Sequence, residues 1–182
     1  MQSIVMRYIA TILAVTLFAG TALADGWYSK ERTVERGIRK GTAPSGAEYR
    51  IMPDKSATVI KDGVIWVVGC KIDPISDNKN CETHDAFERV MVVFGTTDRP
   101  TEICLPGHNF PGRTAFLRVD KNKATETGED GCVGGGFIAQ MLKGKQLVSR
   151  IVVWPYDEFD DDKTDLSVLR DALDLARYVR KL

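Results

Sequence analysis

The chain has 182 residues, 25 basic and 25 acidic side chains, and hydrophobic residues at 43% of its positions. This length and composition are enough for one domain that buries its own core. The balanced charge argues against a nucleic-acid binder, which needs a basic surface, and against strong electrostatic binding to an anionic bilayer.

Residues 1–24 have the organisation of a secretion signal. Arg7 supplies a positive start, an apolar run over residues 8–18 follows, and Ala22-Leu23-Ala24 gives the small-x-small pattern that signal peptidase cuts. The run is short for a bilayer span, and no second apolar stretch of spanning length follows, so an uncut anchor is the less favoured alternative. We predict a mature chain that begins at Asp25, is periplasmic or secreted, and has no membrane span after signal cleavage.

The cysteines all follow the predicted cleavage site, at Cys70, Cys81, Cys104 and Cys132. An even number of cysteines in an oxidising compartment favours disulfide bonds. Four cysteines allow three connectivities, and we favour the local pairing of Cys70 with Cys81 and of Cys104 with Cys132.

Residues 25–47 are predicted to be an N-terminal arm that precedes a single β-rich domain over residues 48–182. The aromatic residues of the arm are Trp27 and Tyr28, and its glycines and Pro44 interrupt any long helix. A short helix could form near residues 29–36. We expect a solvated leader that packs through its aromatics, in preference to a basic arm for binding a partner.

From residue 48 onward, short β-prone runs alternate with turn sequences. The predicted strands cover residues 49–52, 58–60, 64–68, 88–94, 101–105, 114–119 and 147–154, with Asp62-Gly63 as a tight turn and residues 73–80 and 120–131 as polar loops. Trp66 and Trp154 lie inside apolar runs and are predicted to be core. They would be sugar-stacking platforms only if they faced outward. The pattern predicts a mainly β fold, an antiparallel β-sandwich or barrel.

Two helices are expected within this β pattern. Residues 137–143 form a short apolar stripe closed by Gly144. Near the C-terminus, apolar residues recur at helical spacing, at Leu166, Leu169, Ala172, Leu173, Ala176 and Val179. This narrow stripe predicts a C-terminal helix packed on the sheet, with Thr164 or Asp165 as its N-cap.

Candidates for chemistry are weak. Cys104 and His108 could form a thiolate and imidazole pair, but a structural disulfide explains Cys104 better. Zinc is less favoured still, because no C-x-x-C pair occurs and His84 is the only other histidine.

The acidic run over residues 157–165 could supply oxygen ligands to calcium, but its spacing departs from the EF-hand pattern. A solvated loop beside the helix N-terminus is the favoured interpretation. Gly134-Gly135-Gly136 lacks the Walker pattern, so a sheet bulge or close backbone approach is favoured over phosphate binding. We therefore predict no catalytic, cofactor-binding or metal-binding residues and no cofactor.

Several short motifs resemble the invasion-associated locus B family of alphaproteobacteria. The segment from Trp66 to Cys70, followed by a polar loop to Cys81, resembles the W-x-V-x-C opening of that family. Residues 118–120 resemble its strand that ends in a basic-apolar-Asp turn, and residues 131–145 resemble its G-C…L…L-K-x-G-K segment. The resemblance covers about residues 60–175, and Cys104 lies on an earlier segment than the third cysteine of the family pattern.

The resemblance implies an exported β-rich domain, associated in some bacteria with host-cell invasion, and no catalytic residues. The sequence therefore predicts a disulfide-stapled, non-enzymatic binding protein of the envelope or periplasm, whose partner is an envelope or host protein or glycan. The alternative is a small exported hydrolase or an inhibitor of a hydrolase. A cleft of convergent titratable groups would favour an enzyme, and an exposed aromatic patch would favour a binding module.

Overall fold

The computed structural model describes residues 33–182. The predicted signal peptide, its cleavage site and the aromatic pair Trp27-Tyr28 lie outside these residues. The strands are β1 (Thr33–Glu35), β2 (Ile38–Thr42), β3 (Glu48–Ile51), β4 (Ala57–Lys61), β5 (Val64–Ile72), β6 (Lys79–Asp85), β7 (Met91–Gly95), β8 (Glu102–Cys104), β9 (Phe116–Val119), β10 (Thr125–Glu126), β11 (Cys132–Gly134), β12 (Gln146–Val153) and β13 (Tyr156–Asp165). The helices are α1 (Ile138–Met141), which follows a 3-10 turn at Gly135–Phe137, and α2 (Leu169–Arg180).

The strands form two antiparallel sheets. A nine-stranded sheet has the order β1-β2-β3-β4-β5-β6-β7-β8-β11, and a four-stranded sheet has the order β10-β9-β12-β13. We call them the large and the small sheet. The predicted mainly β fold is confirmed, and it is sandwich-like rather than a closed barrel.

Helix α2 packs on strands β4, β5 and β6 of the large sheet. Its buried side chains include five of the six residues of the predicted apolar stripe, namely Leu169, Ala172, Leu173, Ala176 and Val179, and the sixth, Leu166, is buried in the turn before the helix. They join one hydrophobic core with the inner faces of both sheets. The predicted packing of this helix is therefore confirmed.

Both predicted disulfides are present. Cys70 and Cys81 face each other across β5 and β6, and Cys104 and Cys132 face each other across β8 and β11. In each pair the Cα atoms are 4.1 Å apart. Directly opposed residues of antiparallel strands come this close, so the local pairing follows from strand register.

The hairpin turn predicted at Asp62-Gly63 joins β4 to β5. Both residues have positive φ, 50° and 82°, as a two-residue primed turn requires. A second turn of this kind, at Arg36-Gly37, has φ values of 51° and 80° and joins β1 to β2. Gly37, one of the glycines predicted to interrupt a helix in the N-terminal segment, therefore forms a hairpin turn instead.

Part of the predicted N-terminal arm thus belongs to the sheet. Strand β2 pairs with β3 from Arg39↔Ile51 to Thr42↔Glu48, and Ala43 is buried. The prediction of a short helix near residues 29–36 is wrong for the residues that the structure describes, because Thr33–Glu35 is a strand. Pairing with a neighbouring hairpin overrides the weak local preference for helix.

Six strands were not predicted from the sequence, namely β1, β2, β6, β10, β11 and β13, and β10 lies within the predicted polar loop over residues 120–131. Strand β6 alternates buried Cys81, Thr83 and Asp85 with less buried residues, so its inward face carries polar side chains. Thr83 Oγ1 donates to the carbonyl of Val67 at 2.8 Å, which satisfies this hydroxyl inside the sheet. Strand β13 carries the acidic run predicted to be a loop, and that prediction is wrong.

The predicted cap of the C-terminal helix is also wrong. Strand β13 continues to Asp165, which pairs with Gln146, and Thr164 is buried within it. The N-cap of α2 is Val168, which makes no side-chain cap bond. Asp165 Oδ1 instead accepts from the backbone N–H of Ser167 at 2.7 Å, in the turn that precedes the helix.

Candidate functional site

The structure does not bring Cys104 and His108 together as a nucleophile and its base. Cys104 is bonded to Cys132, and both ring nitrogens of the buried His108 are engaged. Nδ1 accepts from the N–H of Val152 at 3.3 Å, so Nε2 carries the proton that is donated to the carbonyl of Arg113 at 3.0 Å. His108 therefore joins two backbone segments and has no free ring nitrogen with which to act as a base.

The sulfurs also offer no metal ligands in this state. Glu102 lies beside Cys104 and Cys132, but the two sulfurs are bonded to each other and supply no thiolate. The acidic run does not wrap a cation either. It is an extended strand, in which successive side chains point to opposite faces, so its carboxylates do not converge on one centre.

The glycine run has a packing role. A Cβ on Gly135 would collide with the backbone of Pro100 and Thr101, and the N–H of Gly135 donates to the carbonyl of Thr101 at 2.7 Å. The close backbone approach predicted for this segment is confirmed. It fixes the start of the 3-10 turn against the loop that precedes β8.

The two tryptophans predicted to be core differ in their burial. Trp66 is fully buried, and its Nε1–H donates to the carbonyl of Asp165 at 3.3 Å, which ties β5 to the end of β13. Trp154 is 59% exposed, so its prediction as core is wrong. It follows β12 in the turn to β13, beyond the part of β12 that pairs with β9, which ends at Arg150.

Trp154 belongs to an exposed aromatic cluster at this end of the small sheet. Tyr156 is 71% exposed and Phe159 is 56% exposed, both on β13. Phe110 is half-buried and meets the exposed Trp154 edge to face, with ring centroids 5.2 Å apart. We call these four residues the aromatic surface. Exposed aromatics that cluster in this way are typical of binding sites, whereas single exposed apolar residues are ordinary.

Two arginines hold the aromatic surface together. The guanidinium of Arg113 lies 5.8 Å from the Phe110 ring centroid and 6.0 Å from that of Phe159, and Arg150 lies 5.1 Å from Phe159. These distances are within the range of cation–π attraction. Arg113 also pairs with Asp157, so each arginine is oriented by a carboxylate as well as by a ring.

The pair of Arg150 and Asp161 is bidentate. Arg150 Nε and Nη2 donate to the two carboxylate oxygens of Asp161, each at 2.6 Å. The hydrogen bond from Arg150 lowers the pKa of Asp161, and the same bond raises the pKa of Arg150. Both groups therefore stay charged over a wide range of pH, and the planar fork fixes the position of the guanidinium.

The loop beneath the aromatic surface is anchored to β12. His108 bonds Val152 as described above, and the side-chain oxygen of Asn109 accepts from the N–H of Trp154 at 2.8 Å. The N–H of Asn109 also approaches the carbonyl of Val152 at 3.5 Å. The hydrogen bonds of His108 and Asn109 therefore fix the backbone of the turn that carries Trp154 in the unbound protein.

A shallow groove adjoins the aromatic surface on the outer face of the small sheet. It has a volume of about 300 Å³ and is lined by Phe116, Leu117, Arg118, Ala124, Val148, Arg150 and Asp161. The strand register explains this lining, because Phe116, Arg150 and Asp161 lie in one row across the sheet, and Arg118, Val148 and Lys163 lie in the next. Arg150 lines the groove and also lies over the ring of Phe159, so it connects the groove to the aromatic surface.

Shifted titratable groups elsewhere support the packing of α2. Burial raises the pKa of Asp174, which accepts from Arg177 at 2.5 Å on the same helix. Burial also lowers the pKa of Lys79, which donates to the C-terminal carbonyls of Val179 and Arg180 at 3.3 and 2.8 Å. Both groups have helix partners that explain their positions.

No protein-family model, curated protein or solved structure matches the chain. Among the helices of residues 33–182, none has the length and apolar character needed to cross a membrane.

Proposed function

We propose that this chain is an exported, disulfide-stapled, non-enzymatic binding protein, and that it binds its partner through the aromatic surface. The observation that carries the proposal is the exposure of Trp154, Tyr156 and Phe159 together at one end of the small sheet. Trp, Tyr and Arg dominate the binding energy of most interfaces, because they bury a large area and keep a polar group for specificity.

The fixed geometry of this surface supports the proposal. Arg113 and Arg150 are oriented by carboxylates and lie over the aromatic rings, and Asn109 holds the backbone of Trp154. Binding then requires little further ordering of side chains, which removes part of its entropic cost.

The exported location in this proposal rests on the signal-like residues 1–24 and on the two disulfides, which form in oxidising compartments. The motifs that resemble the invasion-associated locus B family support our proposal that the partner is a component of the cell envelope or of a host cell. N-terminal sequencing of the exported protein tests the first part and should begin at Asp25. Recovery of the chain with Met1 intact would contradict cleavage.

The hydrolase alternative has less support in residues 33–182. The only cysteine and histidine proposed as a catalytic pair, Cys104 and His108, are committed to a disulfide and to two backbone bonds. A hydrolase inhibitor would also act by binding, so it would use the same kind of surface and would be revealed by the partner itself.

Binding to isolated envelopes and to host-cell surfaces tests the proposal. The double variant Trp154→Ala/Tyr156→Ala should weaken binding about 30-fold, the equivalent of about 2 kcal/mol for a hot spot. Phe87→Ala is the matched control, because Phe87 is also an exposed ring beside an arginine, Arg89, but lies on the turn between β6 and β7. Equal binding by the double variant and the wild type would refute the assignment of this surface.

A further inference from the structure

We infer that the groove beside the aromatic surface binds an acidic sugar residue, so that the partner is a carboxylate-bearing glycan. This inference rests on the proposed binding function and names its ligand class. The groove combines an apolar floor, an available guanidinium and a fixed carboxylate, and each of these matches one chemical feature of such a sugar.

The available cation is Arg118. Its side chain is exposed and makes no hydrogen bond and no ion pair within 4 Å among the residues that the structure describes. Its interaction with Asp161 is through charge alone and helps to lower the pKa of that carboxyl. Arg150, in contrast, has its fork occupied by Asp161. Arg118 is therefore the guanidinium that can take up a ligand carboxylate, which its planar geometry fits with two parallel hydrogen bonds.

A second basic side chain near the groove, Lys163, also favours a negatively charged ligand. Lys163 lies in the same row as Arg118 and Val148, is exposed, and has no ion pair in the described part of the chain. By strand register, Arg118 and Lys163 lie on either side of Val148; Arg118 lines the groove, and Lys163 lies at its margin and also lines a neighbouring cavity. An anion over Val148 would interact with both.

The groove also has an apolar floor and a hydrogen-bond acceptor, neither of which a small inorganic anion would contact favourably. Phe116 and Val148 provide an apolar floor, against which the less polar face of a sugar ring can lie. Asp161 uses one bond at each carboxylate oxygen for Arg150 and keeps further lone pairs that can accept from hydroxyl groups. A hydroxyl-rich, singly charged ring satisfies all three elements at once.

The carboxylate in the groove favours a sugar over an acidic peptide. Asp161 is the residue of β13 that lines the groove, and it can accept hydrogen bonds from a ligand. The ring hydroxyls of a sugar supply such donors, whereas the side chains of an acidic peptide supply only carboxylates. Further sugar units would extend over Phe159, which is linked to the groove through Arg150.

Calorimetric titration of the exported protein with a linear hexasaccharide of galacturonic acid tests the inference. The methyl-esterified hexasaccharide is the matched ligand, because it keeps the rings and loses the charge. We expect binding of the acid form and at least tenfold weaker binding of the ester. Arg118→Gln should reduce affinity for the acid form about tenfold with an unchanged melting temperature, and Arg118→Lys should fall between the two.

Arg50→Gln is the control variant, since Arg50 is an exposed strand arginine of β3 in the large sheet, and it should bind as the wild type does. Absence of binding to the acid form, equal binding of the ester, or equal binding by Arg118→Gln would overturn the inference. So would equal binding of a hexaglutamate peptide, which would show that charge alone suffices. The envelope assay with Trp154→Ala/Tyr156→Ala can still succeed in each of these cases, so the two proposals fail separately.

Discussion

The two sheets of this protein use their surfaces differently. The large sheet is covered by α2, holds both disulfides, and contributes fully buried side chains such as Trp66, Val68 and Ile103. The small sheet buries Leu117 and Leu147 on one face, and its other face carries the arginines and rings of the candidate site. The large sheet therefore contributes more of the fully buried side chains of the core, whereas the small sheet has an outer face that is open to solvent.

Substitution in the helix should have the largest effect on stability. Leu169→Ala removes a fully buried side chain where α2 meets the core, and it should lower the free energy of unfolding by about 2–5 kcal/mol. Chemical denaturation measures this. Val148→Ala, on the partly exposed face of the small sheet, is the control and should cost clearly less. Equal losses would show that the two sheets contribute alike.

Loss of a disulfide should have the second-largest effect on the free energy of unfolding. Replacing both Cys104 and Cys132 by alanine opens a loop of 28 residues and should cost roughly 3.5 kcal/mol, and the same change at Cys70 and Cys81 opens 11 residues and should cost roughly 3 kcal/mol. Denaturation of the variants gives these values. Thiol labelling of the native protein should find all four cysteines blocked, and a labelled Cys104 would reopen the hydrolase alternative.

Two ion pairs of similar length, a buried one in the large sheet and an exposed one in the small sheet, compare what each contributes to stability. Asp85 is buried and accepts from Arg89 Nε and from the N–H groups of Arg89 and Val90, which closes the turn between β6 and β7. Asp85→Asn should cost about 1.5–3 kcal/mol, as expected for hydrogen bonds to a charged group. Asp161→Asn should change stability little, because solvent screens an exposed pair. Thermal unfolding of the two variants should rank them in this order.

The smallest effect concerns pH. Burial raises the folded-state pKa of Asp174 above its ordinary value of 3.8, so the folded protein holds this proton more tightly than the unfolded chain does. The contribution of Asp174 is therefore fully present below pH 3.8 and is lost as pH rises through the raised pKa. Asp174→Asn should be slightly more stable than the wild type at neutral pH, with a shallower pH dependence in this range. A steeper dependence in the variant would contradict the assignment.

The predictable parts of the fold were those with a strong local pattern. The periodic leucines and alanines of α2, the Asp62-Gly63 turn and the apolar run of β5 each specify their element through nearby residues. The sequence analysis did not predict the candidate site, although it named Trp154, which it assigned to the core. The sequence places Trp154 at the end of an apolar run, and only the sheet geometry shows that β12 extends beyond its partner β9 there.

By itself, the sequence determined the mainly β class, the burial of the C-terminal helix and the favoured disulfide pairing, because periodicity, turn chemistry and cysteine separation act over short distances along the chain. The tertiary structure decided that the acidic residues 157–165 extend as strand β13 beside β12, where Arg150 faces Asp161 and Arg89 lies near Asp162. It also decided that Trp154 is exposed and that Phe110, Arg113 and Phe159 meet beside it. The contacts of Phe110 and Arg113 with Trp154 and Phe159 join residues more than 40 positions apart, and they form only when the loop after β8 packs against the end of β12, which no pattern within either segment encodes.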